Sequence, residues 1–434
     1  MKGIASPRRR PGGRRAVTAA LALGLAVVLA ACGSGAGTSD TVQAGPDGVD
    51  DGSELTLWTR APLEKQAKLL VEAYNASHKN QVKLTVVPND DYVAKVGAAA
   101  GSASLPDLFA ADIVYVPNWV KQGLFKDISA NVNALPFKDS INKGHLSAGT
   151  DGGKVFVLPF VLDLSMLFWN KALFKEAGLD PEKAPATLAE FAAAAKAVQG
   201  LRKEGVYGTA TGFNCGGCMV FTWFPSFWAD GQDVMSADGR KSLLTTDTAK
   251  KVLGTWQDLW RSGAVLPSSK DEAGPTWTAG FTQGKVGLMF YPATLLSSTP
   301  FDAGVAGIPG VNGGASTFVG GDGLGVSKDS KKADQAWNFL NWMMSEKAQV
   351  EVLAKDNDVV SRSDLAGNVY AAKDPRLVTI NKVAGNGKTP VALNFQQAYN
   401  ATNSPWLSLV RNYVLGNGAD LQKNNDEVTA VLGQ

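Results

Sequence analysis

Leu55-Thr56-Leu57-Trp58, then Leu63, Ala67, Leu70, Val71 and Tyr74, then the run from Val82 to Val87, are the stretches that decide the fold class. The first and third read as short apolar strands, and the second places its apolar residues three and four apart, as one face of a helix does. Strand, helix and strand in succession predict an α/β lobe with mainly parallel strands. The same alternation continues outward. Asp107 to Asp112 reads as a strand, and Val116 to Gln122 as a helix closed by Gly123. Val155 to Phe160 and Met166 to Asn170 read as two further strands, with Val161-Leu162-Asp163-Leu164-Ser165 as a crossover between them.

Beyond the crossover, Lys171 to Gly178 is a short helix with a glycine stop, and Thr187-Leu188-Ala189-Glu190 is a capping box opening a helix to Gln199. Asp247 to Arg261 puts Val252, Trp256, Leu259 and Trp260 on one face, the pattern of a core helix. A helix at Trp277 to Gln283, a strand at Val286 to Phe290 and a glycine-rich passage at Gly304 to Gly325 follow. The remainder reads as helical, at Ala333 to Met344, Glu346 to Ala354, Trp406 to Leu415 and Ala419 to Leu432.

At the other end, Arg8, Arg9, Arg10, Arg14 and Arg15 precede an uncharged run from Ala16 to Ala31, with no acidic residue before Asp40. Basic residues followed by an apolar stretch of about 13 residues make a signal peptide over 1–31, too short for the roughly 20 that a spanning helix needs. The stretch ends Leu29-Ala30-Ala31-Cys32-Gly33, which resembles the bacterial lipobox. That resemblance implies lipidation of Cys32 and a place on the extracytoplasmic face of the cell membrane. Arg14-Arg15 suits a twin-arginine export route whereas Ala16-Val17-Thr18 departs from it, so both general and twin-arginine export stay open. Residues 32–53, rich in Gly, Ser, Thr, Asp and Ala, have the composition of a flexible tether, with folded structure beginning near Glu54.

Removing the signal leaves about 400 residues, enough for two domains. Net charge is +2 over all 434 residues, and the arginines of the signal account for more than that. A nearly neutral mature chain has no basic stripe for nucleic acid. Cys215 and Cys218 are the two cysteines besides Cys32, spaced Cys-Gly-Gly-Cys, and an oxidising compartment favours a local disulfide. With two histidines, His78 and His145, there is no second ligand pair for zinc, and neither metal nor cofactor is expected.

Four stretches together resemble the extracellular solute-binding proteins of ATP-driven sugar importers, the group that includes maltose-binding protein. They are Phe168-Trp169-Asn170-Lys171-Ala172-Leu173-Phe174 through Pro181 with Pro185 to Phe191, Phe281-Thr282-Gln283-Gly284-Lys285-Val286-Gly287 into Tyr291-Pro292, Gly320-Gly321-Asp322-Gly323-Leu324-Gly325 leading into Ala336 to Leu340, and Ser345-Glu346-Lys347-Ala348-Gln349 with Arg362 downstream. The resemblance implies an α/β, two-lobed periplasmic-binding-protein-like fold (type II) with the ligand cleft between the lobes. Mapped here, residues 54–163 and 305–345 form the first lobe, and 164–304 and 346–434 the second. Crossings fall near Asp163 to Met166, near Asp302 to Gly310, and between Ser345 and Arg376. The implied protein is a monomeric, lipid-anchored binding protein that hands a carbohydrate to the permease subunits of an ABC transporter.

A sugar offers hydroxyls and C–H faces, so its site combines carboxylates and a guanidinium with aromatic plates. Trp58 and Arg60 end the first strand, Asp112 ends another, and Asp163 sits at the crossover. Trp223 and Trp228 lie in an aromatic cluster beside the cysteine pair. Trp277 and Tyr291 fall where the family places contacts in its second lobe, Gly321 and Asp322 where the chain returns to the first. Arg362 follows the third crossing, and Trp406 resembles the stacking tryptophan of maltose-binding protein. A polyamine, polyol phosphate or peptide is the alternative solute on the same fold. A glycoside hydrolase would need two carboxylates about 5 to 10 Å apart, for which Asp112 and Asp163 are available without a motif that joins them. No nucleophile elbow or phosphate-cradling loop is present to carry other catalysis.

Overall fold

The structure, a computed structural model, describes residues 40–434 apart from 44, 417 and 419. The signal segment 1–31 and Cys32 lie outside the described residues.

Three parallel strands begin the fold: β1 (Glu54–Arg60), β2 (Gln81–Val87) and β3 (Leu108–Asp112), with β1 in the middle. Leu55 and Leu57 point into the core, while Thr56 and Trp58 alternate to the other face. The helix Glu64–Asn75 covers that core face with Ala67, Leu70, Val71 and Tyr74, as their spacing requires. A short hairpin, β4 (Thr150–Asp151) with β5 (Lys154–Val155), leads into β6 (Val157–Asn170).

β6 is one continuous strand where the sequence suggested two strands and a crossover. Its first half pairs antiparallel with β12 (Val319–Val326), and its second half pairs with β8 (Val286–Pro292) and β9 (Ala303–Ala306). Thus residues 161–165 pass from one lobe to the next without leaving the sheet. β7 (Tyr207–Thr209) adds a parallel edge to β8, giving the order β2-β1-β3-β12-β6-β8-β7. Asp163 is the one residue of β6 that is only partly buried.

One crossing and one lobe boundary differ from expectation. The hairpin β10 (Ile308–Pro309) with β11 (Ala315–Ser316) stays with the second lobe, and the Asp230 side chain there accepts from the Asn312 backbone at 2.9 Å. The return therefore falls at Thr317 to Gly320, next to β12, rather than at Asp302 to Gly310. Likewise Ala348 and Leu353 pack in the core of Leu55, Leu57 and Leu70, so the last change of lobe comes after Leu353, not at 346. The second lobe is centred on aromatic packing, with Trp223 stacked on Trp256 at 4.7 Å and Trp406 edge-on to both Trp223 and Phe224.

The tether reading fails for its second half. Val42 is buried in the first-lobe core, and its N–H donates to Asp127 O at 3.1 Å. Further along, Trp337 Nε1 donates to Pro46 O at 2.8 Å and Asn338 Nδ2 to Asp47 O at 2.6 Å. A strap of small and acidic residues is thus held by backbone carbonyls against the helix Ala333–Met343, a pattern that composition does not reveal.

Candidate functional site

The parallel strands of the first lobe all end on one side, where β1 delivers Arg60 and β3 delivers Asp112. β12 runs antiparallel to β3 and sets Asp322 directly opposite Asp112. Arg60 Nε donates to both Asp322 oxygens at 2.9 and 3.0 Å, and its Nη2 lies 3.2 Å from Asp112 Oδ2. Burial raises the Asp322 carboxyl, the Arg60 guanidinium pulls against it, and the contacts make the two an ion pair. Burial also works against the Arg60 charge, and Asp322 and Asp112 outweigh it, keeping the guanidinium above its ordinary value. Asp322 has no exposed surface. It therefore positions Arg60, and the partly exposed members of the network are Arg60 and Asp112.

Asp163, on the strand shared by the lobes, has its carboxyl pushed up to about 7 by burial, against the pull of Arg60 and the Leu164 backbone. Asp112 and Asp358 add repulsion. Part of its surface is open, but the protein mass around it denies its charge full hydration. Across from it, Tyr291 on β8 feels the same charge, its hydroxyl raised by burial and then by Asp163. Trp277 meets Tyr291 edge-on with ring centroids 4.7 Å apart, and the buried Trp277 Nε1 finds no acceptor among the described residues. Cys215 and Cys218 are joined, with Cα atoms 5.2 Å apart, and the Cys215 sulfur caps the helix Gly216–Trp223 by accepting from Cys218 N at 3.1 Å. Cys218 packs in the cluster that holds Trp277 and Tyr291.

Beside Asp163 opens a cavity of about 390 Å³. Lys65 and Gln66 line it from the first lobe, Ala293 and Thr294 from the loop after β8, and Asp356 and Asp358 from the segment after Leu353. Asp374 and Arg376 close the far wall as a pair in contact at 2.8 to 3.1 Å. Lys65 Nζ lies 2.6 Å from Asp356, and Gln66 Nε2 donates to Asp358 Oδ1 at 2.9 Å. Burial pushes Asp358 up to about 6, with the Gln66 hydrogen bond opposing it, and Asp358 Oδ2 is buried without a hydrogen-bond partner among the described residues.

Asp163 is the one sequence-derived candidate that lines this cavity. Trp58, Arg60 and Asp112 sit together on the first lobe, with Lys95 Nζ over the Trp58 ring at 4.5 Å, and Trp277 and Tyr291 sit together on the second. The other candidates are placed elsewhere. Trp223 and Trp406 have no exposed surface and are core, because the aromatic cluster packs on itself. Trp228 is 6% exposed, packs on Phe318, and spends its Nε1 on Asp233 at 3.1 Å. Arg362 is 7% exposed, bound to Asp364 and to Met344 O, with its guanidinium 3.9 Å from the Phe137 ring centre. Gly321 has φ +97°, and a Cβ there would strike the Val161 carbonyl, so its close approach is to β6. Sequence reading missed Lys65, Gln66, Asp358 and Arg376. A signal for the last was present in Asp374-Pro375, an N-cap followed by proline at the first helical position.

The sequence profile of the bacterial extracellular solute-binding proteins matches residues 60–350. The chain is 28% identical over 379 residues to the diacetylchitobiose binding protein DasA of Streptomyces coelicolor, covering 82% of this chain and 85% of that one. It is 22% identical to a maltooligosaccharide ABC transporter solute-binding lipoprotein of Streptococcus pneumoniae, covering 81% of each. Among solved structures, the cyclic alpha-maltosyl-1,6-maltose binding protein of Arthrobacter globiformis superposes with a TM-score of 0.72 at 24% identity, over 88% of this chain and 98% of that one. MalE of Xanthomonas citri does so with a TM-score of 0.77 at 16% identity, over 88% and 96%. These similarities share the α/β, two-domain architecture described above, and the chain belongs to the bacterial extracellular solute-binding protein family.

Proposed function

We propose that this protein captures a mono- or oligosaccharide between its two lobes and delivers it to the permease of an ABC importer. The observation that carries the reading is the cavity beside Asp163, walled by residues of both lobes; Arg60 and Asp112 act on Asp163 from the first lobe, and Tyr291, paired with Trp277, feels it from the second. Carboxylates and a guanidinium suit hydroxyls, and an aromatic pair suits the C–H face of a sugar ring. A volume of about 390 Å³ falls within the usual range for small-molecule sites. A ligand that touches both lobes favours the closed arrangement by its differential contacts. The relatives named for diacetylchitobiose and maltooligosaccharides support a saccharide. The lipobox at Cys32 supports anchoring on the extracytoplasmic face of the membrane.

Titration calorimetry of the full-length chain in detergent against a saccharide panel tests the proposal. We expect at least one member to bind at micromolar affinity, with Trp277→Ala weakening it about 5- to 150-fold, as loss of roughly 1 to 3 kcal/mol requires. A panel without any binder, or a Trp277→Ala protein that binds unchanged, contradicts it.

A further inference from the structure

The cavity beside Asp163 has an unbalanced wall. Four carboxylates line it, Asp163, Asp356, Asp358 and Asp374, against two cations, Lys65 and Arg376. Both cations are already engaged, Lys65 with Asp356 at 2.6 Å and Arg376 with Asp374 at 2.8 Å. Arg60, the nearest guanidinium beyond the wall, is divided between Asp322 and Asp112. Neither Asp163 nor Asp358 has a cation in contact among the described residues: Arg60 and Lys65 act on them only through space, and Asp358 adds repulsion at Asp163.

Their hydrogen bonding is incomplete as well. Asp358 Oδ1 accepts from Gln66, while its Oδ2 is buried with no partner among the described residues. Asp163 has help from the Leu164 backbone and no side-chain donor among the described residues. A buried acceptor left without a donor is costly, and two like charges facing one space are costlier still. A neutral hydroxyl supplies one proton to one of them and no charge. An ammonium supplies three donors and a positive charge, which answers both deficits in a single group.

We infer that the saccharide taken by this cavity carries a free amine, held as an ammonium between Asp163 and Asp358. This rests on the saccharide reading above and narrows it to amino sugars that are not N-acylated. The groups that surround the amine are Asp112 and Arg60 from the first lobe, Tyr291 from β8, and Lys65, Asp356 and Arg376 from the cavity wall.

Calorimetry of the full-length chain in detergent at pH 7 tests it with a matched series: glucosamine and its β-1,4-linked dimer and trimer, their N-acetylated forms, and the corresponding glucose compounds. The amine member of a matched set should bind at least 10-fold tighter than both neutral ones, and Asp163→Asn and Asp358→Asn should each narrow that ratio at least fivefold. The wild-type ratio stands whether or not a variant folds. Neutral members that bind as tightly as the amine, or tighter, overturn the amine inference and leave the saccharide reading intact. A chain that binds no member of this series or of the wider panel overturns both.

Discussion

Asp163→Asn should flatten a specific part of the pH dependence of stability of the free protein. The Asp163 carboxyl rises to about 7 in the folded chain because burial disfavours its charge, against an ordinary value of 3.8. The folded state thus keeps a proton that the unfolded state has lost, so stability falls as pH rises from about 4 to about 7, and the full cost is present above that. A shift of roughly three units sets a ceiling of about 4 kcal/mol, and partial hydration in the cavity brings the expectation to about 2 to 3 kcal/mol. Asp127, Asp364 and Asp374, all lowered, act in the opposite direction, gaining stability as pH rises through their range. They are present in both proteins and cancel in the difference. Urea unfolding of wild type and Asp163→Asn at pH 4.5 and 8, without ligand, reads the effect. The variant should gain about 2 to 3 kcal/mol on wild type between the two pH values. A difference that stays constant within about 0.5 kcal/mol would refute the argument that Asp163 is held against ionisation.

Four other substitutions probe the frame around the site. Arg60→Met strands the fully buried Asp322 and should cost about 3 to 5 kcal/mol in urea unfolding, whereas Asp112→Asn, at the more open end of the network, should cost less than about 1 kcal/mol; equal costs would contradict the division of roles. Gly304→Ala drives a methyl into the Trp169 indole across the β6–β9 pairing and should cost about 3 kcal/mol, and a neutral result would mean that the two strands are not packed as described. Trp337→Phe removes the donor to Pro46 O and should cost about 1 kcal/mol while speeding proteolysis within 41–49; an unchanged cleavage rate would show that the strap is held by other contacts.

Local periodicity carried much of the fold into view. Leu55 and Leu57 alternate inward and Ala67, Leu70, Val71 and Tyr74 recur at helical spacing because each face must be buried, so the first lobe was legible from patterning. Thr187 and Glu190 announced a helix start that the structure realises, with Glu190 N donating to Thr187 Oγ1 at 3.1 Å. β6 was misread as two strands because Asp163 interrupts an apolar run, and a charge in mid-strand reads as a break unless both flanking halves are known to pair. Trp223 and Trp406 were read as site residues because aromatic composition is the same for a stacking plate and a core. Only the three-dimensional count of neighbouring rings separates the two. Asp358, Gln66 and Lys65 left little trace, since their meeting across the cavity joins positions nearly 300 apart in sequence.

Hydrogen exchange of the full-length chain in detergent, free and saturated with the tightest saccharide of the calorimetric panel, tests most directly whether the ligand sits between the lobes. The account predicts slowed exchange together in the first turn of the helix Glu64–Asn75, in the segment from Tyr291 to Leu296 and in 354–359, the walls of one cavity drawn from both lobes. Protection confined to one of these segments at saturation, or found only outside them, would contradict it.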